Sequence, residues 1–110
     1  MEDARVVLIT APDLDTAQRL AREMVEQRLA ACVNGVPGAF SIYRWQGSIE
    51  HTSEVLLIAK TDASRVRELF LWLERAHPYD VPECIAITPS EMSPRYREWL
   101  EQETRGEARA

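Results

Sequence analysis

The sequence predicts an α+β fold on the ferredoxin-like plan, a βαββαβ sandwich with a long β-hairpin and an extra C-terminal helix. Three observations carry that expectation. Strand-like and helix-like apolar periodicities alternate along the chain in the order strand, helix, strand, strand, helix, strand. The two middle strands meet at Gln46-Gly47, a two-residue turn that closes a hairpin. The return arm of that hairpin, Ser48 to Lys60, is long: about 40 Å at about 3.3 Å per residue, against a diameter of about 34 Å for a compact globule of this length. Either the hairpin bends at Pro37-Gly38, or its aromatic tip lies on another subunit.

Each element has its own signal. Val6 to Thr10 is a continuous apolar run with β-branched residues, fit for a strand buried on both faces. Pro12 ends it, and Asp13 caps the helix that follows. In that helix Leu14, Ala17, Leu20, Ala21, Met24, Val25 and Leu29 recur at spacings of three and four. Extended character then runs from about Ala31 to about Lys60 around the hairpin turn. Asp62 caps a second helix with Val66, Leu69, Phe70 and Leu73 as its stripe, and Pro78 stops it. Glu83 to Thr88 alternates as a fourth strand. Ser93-Pro94 opens a last helix whose short apolar face is Tyr96, Trp99 and Leu100. The tail from Arg105 to Ala110 has no pattern and is expected to fray. The whole reads as one domain, residues 1–110, with an ordered core over about 5–104. Because both long helices cover one face of the sheet, the other face needs a cover, and a second copy of the chain is the expected one.

Composition narrows the function. The 110 residues carry a net charge of −5, which opposes nucleic-acid or acidic-membrane binding. No apolar run approaches the length of a membrane span, and the N-terminal run is too short for a signal peptide. Two separated cysteines without a secretion signal read as free thiols, so the expected compartment is the cytoplasm.

Chemistry-bearing residues are few. Cys32, in Ala-Ala-Cys-Val-Asn, reads either as a small buried hydrophobe or as a soft-metal ligand. Cys84, on the predicted fourth strand, reads as buried. His77 heads His-Pro-Tyr-Asp-Val-Pro-Glu, a loop stiffened by two prolines. It reads either as a helix C-terminal cap or as a metal ligand or proton carrier beside Glu83. Lys60 closes an apolar strand, snorkelling to water or marking an anion pocket. Tyr43 and Trp45, two apart, share one face of the hairpin tip and read as interface anchors. No metal-ligand spacing such as Cys-x-x-Cys occurs, so any site must draw on distant segments or other chains.

With these segments in view, the chain resembles the CutA family of divalent-ion tolerance proteins from Val6 to about Thr104. The resemblance rests on Thr10-Ala11-Pro12, Leu29 to Asn34, Val36-Pro37-Gly38, Ser41 to Gly47, Lys60-Thr61, His77 to Glu83, and Tyr96 with Trp99-Leu100. It implies a tight homotrimer with hairpins reaching across to neighbours, a link to copper or other divalent metals, and a likeness to PII signalling trimers. It implies metal roles for Cys32 and His77, and a ligand cleft between subunits lined by Tyr43, Trp45, Lys60, Tyr79 and Glu83. Some members carry a further cysteine and histidine where this chain has Ile9 and Ala76, so a copper ion here would lack a thiolate and an imidazole. Three functions follow as expectations: a trimeric tolerance protein binding copper or another divalent ion; a PII-like module holding a small anion between subunits near Lys60 and His77; and, least favoured, an acylphosphatase-like enzyme. The last wants backbone amides around a phosphate, where Pro12 removes one and Asp13 repels it. The chain is therefore expected not to be an enzyme.

Overall fold

Four antiparallel strands in the order β2-β3-β1-β4 organise the chain in the computed structural model, which describes residues 4–105. They are β1 (Ala4–Ala11), β2 (Cys32–Trp45), β3 (Ser48–Asp62) and β4 (Ile85–Ile87). The helices are α1 (Leu14–Glu26), α2 (Ala63–Ala76) and α3 (Pro94–Thr104). This is the expected βαββαβ order with a final helix, and the strand order is the ferredoxin-like one. The tail expected to fray lies, past Arg105, outside the described residues.

Side-chain parity divides the sheet. Val7 and Ile9 of β1 stand opposite Ala59 and Leu57 of β3, and all four point to the face covered by α1 and α2, where they are buried. Leu20 and Met24 of α1 and Leu69 and Leu73 of α2 complete that core. Each such side chain contributes about 1.5–3 kcal/mol on leaving water. The even-numbered residues of β1 and β3 face the other way. Val6 and Leu8 are therefore only half-buried, and the expectation of a strand buried on both faces is met on one face alone.

Local chemistry sets the boundaries. Thr16 N–H donates to Asp13 Oδ1 at 2.8 Å, and Ser64 N–H donates to Asp62 Oδ2 at 2.9 Å, so both predicted caps form. α1 ends before Leu29 because Arg28 turns left-handed, at φ +61°. Its guanidinium donates to the Glu103 carbonyl at 2.9 Å, tying the turn to α3. The hairpin closes with Gln46 at φ +50° and Gly47 at φ +86°, the double positive pair that matches strand twist.

Two elements depart from expectation. β4 spans only Ile85–Ile87 instead of Glu83–Thr88: its pairing with β1 runs only from Val6 to Leu8, and Pro82 and Pro89, which lack an N–H for the ladder, bracket the segment. α3 covers part of the open sheet face from within the chain, where Leu100 packs with Ala4 and Ala31. The remainder of that face keeps Val36, Ile85 and Ile87 exposed.

The hairpin does bend at Pro37-Gly38. Val36 pairs with Leu56, but Ala39 pairs with Glu54, so β2 carries one residue more than β3 across the step. Such a bulge reverses the side-chain parity of β2. The arm also overhangs: the longest extent of the molecule is 44 Å, against 30 and 22 Å in the other directions.

Candidate functional site

Where the arm leaves the sheet, its parity decides what the site contains. Past the bulge, Ser41, Tyr43 and Trp45 share a side with Glu54, Thr52, Glu50 and Ser48. This is the even side of β3, which also carries Thr10 of β1 through its pairing with Leu56. Phe40, Ile42 and Arg44 point the opposite way.

The second wall is the segment after α2. Pro78 ends the helix, and His77 swings out with extended backbone at ψ 140°. Its ring is anchored at both nitrogens: Nε2 lies 2.7 Å from the Thr10 carbonyl, and Nδ1 accepts the Tyr79 N–H at 3.1 Å. A nitrogen accepting an N–H carries no proton, so the proton sits on Nε2 and is donated to Thr10. The imidazole is thus a neutral strut that pins the loop to the end of β1, beyond the last residue paired with β4. Its ring packs on Tyr79 with centroids 4.7 Å apart.

Tyr79 then reaches over the open face. Its phenol donates to Glu54 Oε2 at 2.5 Å, and the Ser41 hydroxyl donates to Glu54 Oε1 at 2.5 Å. One carboxylate, only 6% exposed, therefore clamps the arm to the loop. Burial first, and then the bond to Glu54 and its charge, push the Tyr79 phenol well above the usual tyrosine range. It stays a donor at every physiological pH.

Between arm and loop lies a cleft of about 480 Å³, lined by Thr10, Ser41, Tyr43, Trp45, Glu54, Tyr79, Asp80, Val81 and Glu83, and bordered by Ile42, which points away from it by strand parity. That volume suits a small molecule. Glu54, Asp80 and Glu83 make the wall acidic, and no basic residue lines it among the described residues.

Of the residues assigned to a cleft from sequence, Tyr43, Trp45, Tyr79 and Glu83 are brought together here. Lys60 is not. It pairs with Cys32 and Val6, six residues along β3 from Glu54 and so about 20 Å away along the strand. Its ammonium donates to the Asn34 side chain. The anion site expected between subunits near Lys60 and His77 is not assembled within one chain: His77 is bound to Thr10, opposite Leu56, about 13 Å along β3 from Lys60.

Cys32 and His77 do not converge either. Cys32 lies beside Lys60 and under α3, where the Tyr96 phenol is raised by burial and by the neighbouring Cys32. His77 sits at the far end of β1 with both nitrogens occupied. Among the described residues no group of three or more His, Cys, Asp or Glu side chains could hold a metal ion. The residues present do not fit a preformed copper centre within one chain. Cys84 is half-buried on the core side of β4, and burial, with Glu83 and Glu74 nearby, pushes its thiol up to about 12.

Sequence reasoning passed over Glu54, Ser41, Asp80 and Thr10. Glu54 had a legible signal, a lone carboxylate entering the apolar run Val55-Leu56-Leu57-Ile58. Its partner Tyr79 lies 25 residues away in sequence and could not be read from spacing.

The geometry defines a class: a small ferredoxin-like subunit with an overhanging hairpin, whose base forms one wall of an acidic, aromatic cleft. Residues 5–103 match the model of the CutA1 divalent ion tolerance protein family. The chain is similar to the divalent-cation tolerance protein CutA of Pectobacterium atrosepticum, 47% identical over 98 residues, 89% of each chain. It is 46% identical over 99 residues to that of Thermus thermophilus, 90% of this chain and 96% of the relative. The crystal structure of CutA from Xylella fastidiosa superposes with a TM-score of 0.91 at 44% identity, covering 94% of this chain and 99% of that one. The chain belongs to the CutA1 divalent ion tolerance family.

Proposed function

We propose that this protein serves divalent-cation tolerance in the cytoplasm as a homotrimer, and that it meets copper or another divalent ion weakly, through Cys32. Family membership supports the tolerance role. The observation that carries the assembly is the outer face of the arm. Phe40, Ile42 and Ile49 are 68%, 62% and 63% exposed on a ribbon that overhangs its own sheet. An isolated two-stranded hairpin is marginal in water, so a sister subunit is the natural cover for these side chains. Tyr43 and Trp45, expected as the anchors, turn instead to the chain's own cleft.

The metal role falls to Cys32, because His77 has no free lone pair to give. One soft thiolate supports weak binding, with the remaining ligands drawn from water or neighbouring chains. An anion in the cleft is disfavoured by the carboxylates that line it. A phosphoryl-transfer role is disfavoured at the start of α1, where Asp13 already accepts the Thr16 N–H.

Sedimentation at micromolar concentration tests the assembly. A trimer is expected, Phe40→Ser with Ile49→Ser should shift it toward smaller species, and a well-behaved single chain in the wild type overturns the reading. Copper titration tests the metal role. Cys32→Ala should lose binding and His77→Ala should keep it; equal binding by all three proteins removes Cys32 from the account.

A further inference from the structure

The cleft between the arm and the 77–83 loop has a sign and a shape that the metal role does not use. We infer that it is a binding site for an aliphatic polyamine, a flexible hydrocarbon chain carrying two or more ammonium groups. This goes beyond the proposed metal role and does not rest on it.

Charge selects a cation, since Glu54, Asp80 and Glu83 all lie on the lining and no base does among the described residues. They do not form a full metal-ligand set, since no three His, Cys, Asp or Glu side chains among the described residues are grouped to hold a metal ion. A ligand whose positive charges are themselves spread out answers both facts. Glu54 is already engaged by Ser41 and Tyr79, so it supplies a fixed negative field rather than a contact. Asp80 and Glu83 are exposed and carry no ion pair among the described residues, which leaves them to receive the ammonium heads.

The aromatic wall fits the hydrocarbon between those heads. Tyr43 and Trp45 stand two residues apart on one side of the arm, about 6.6 Å along the strand. Each is 41% exposed, so each offers an accessible ring edge or face. Alkylammonium groups are attracted to such faces, and the methylenes between them cover the same apolar surface. The loop is held before any ligand arrives, by Pro78, Pro82 and the His77 strut, so little ordering cost falls on binding.

Spermidine is the probe, titrated by calorimetry into the full chain at constant ionic strength. One spermidine per chain is expected, with n-propylamine and N-acetyl-lysine amide at least tenfold weaker because each brings a single head. Asp80→Asn with Glu83→Gln should weaken spermidine at least tenfold, and Trp45→Leu at least threefold. Circular dichroism and the oligomeric state should stay those of the wild type. Magnesium at matched ionic strength should not displace it. The inference is overturned if spermidine does not bind, if the variants bind it as the wild type does, if magnesium competes equally, or if the single-headed amines bind as tightly. Copper titration of Cys32→Ala reads the metal role separately, so failure of one leaves the other standing.

Discussion

Replacing Tyr79 with Phe removes one oxygen atom and tests whether Glu54 truly clamps the arm to the loop. The phenol donates to Glu54 Oε2 at 2.5 Å, and that carboxylate is 6% exposed. A hydrogen bond to a charged group is worth about 1.5–3 kcal/mol. Tyr79 is itself only partly buried, so water can approach the vacated position, and the lower half of the range applies, about 1.5–2 kcal/mol. With a urea m-value of about 2 kcal/mol/M, the unfolding midpoint should fall by about 1 M. Chain concentration must be held fixed, because the proposed association would add to apparent stability. Ser41→Ala should cost less, about 1 kcal/mol, as one neutral hydroxyl is lost. The two substitutions act on one carboxylate, so the double variant should depart from additivity by at least about 0.5 kcal/mol. In a Glu54→Ala background Tyr79→Phe should be nearly silent. A loss below about 0.5 kcal/mol, or the same loss with and without Glu54, would refute the clamp.

Other outcomes follow from single features. Leu69 is fully buried in the core under α2, and Leu69→Ala should cost about 2–5 kcal/mol by chemical denaturation. Gly47→Ala, at φ +86° in the hairpin turn, should cost about 1–2 kcal/mol although its Cβ would meet no neighbouring atom. Native Cys84, with its thiol raised to about 12, should resist iodoacetamide at pH 8 while the urea-unfolded chain reacts. The sign for stability follows from the same shift. The unfolded thiol loses its proton near its ordinary value while the folded one retains it. The contribution is therefore complete below about pH 8.5 and is lost as pH rises toward about 12.

Much of the fold was legible because its signals are local. Asp13 and Asp62 cap helices three and two residues ahead of themselves, and Gln46-Gly47 closes a turn within four residues. Tyr43, Trp45, Tyr79 and Glu83 were named through resemblance to a family, and the structure gathers them in one cleft. What stayed hidden is what depends on strand register. Lys60 and His77 sound adjacent in a list of polar residues, yet within one chain strand register sets them about four residues apart along β3. β4 looked six residues long by alternation and is three, since alternation marks which residues could pair and not how far the ladder runs between Pro82 and Pro89. His77 read either as a helix cap or as a metal ligand or proton carrier, because nothing in sequence announces that the Thr10 carbonyl and the Tyr79 amide will occupy it.

The single surplus residue at Pro37-Gly38 has a consequence for how the arm divides its labour. Without it, Phe40 and Ile42 would look into the hollow, and the rings of Tyr43 and Trp45 would look away toward whatever neighbour the ribbon meets. Handedness of purpose along the arm from Ala39 to Trp45 is thus set by one insertion rather than by the residues themselves. Excising one codon there would turn the ribbon inside out, exchanging the side chains that line the hollow for those that face outward while leaving every side chain of the tip unaltered.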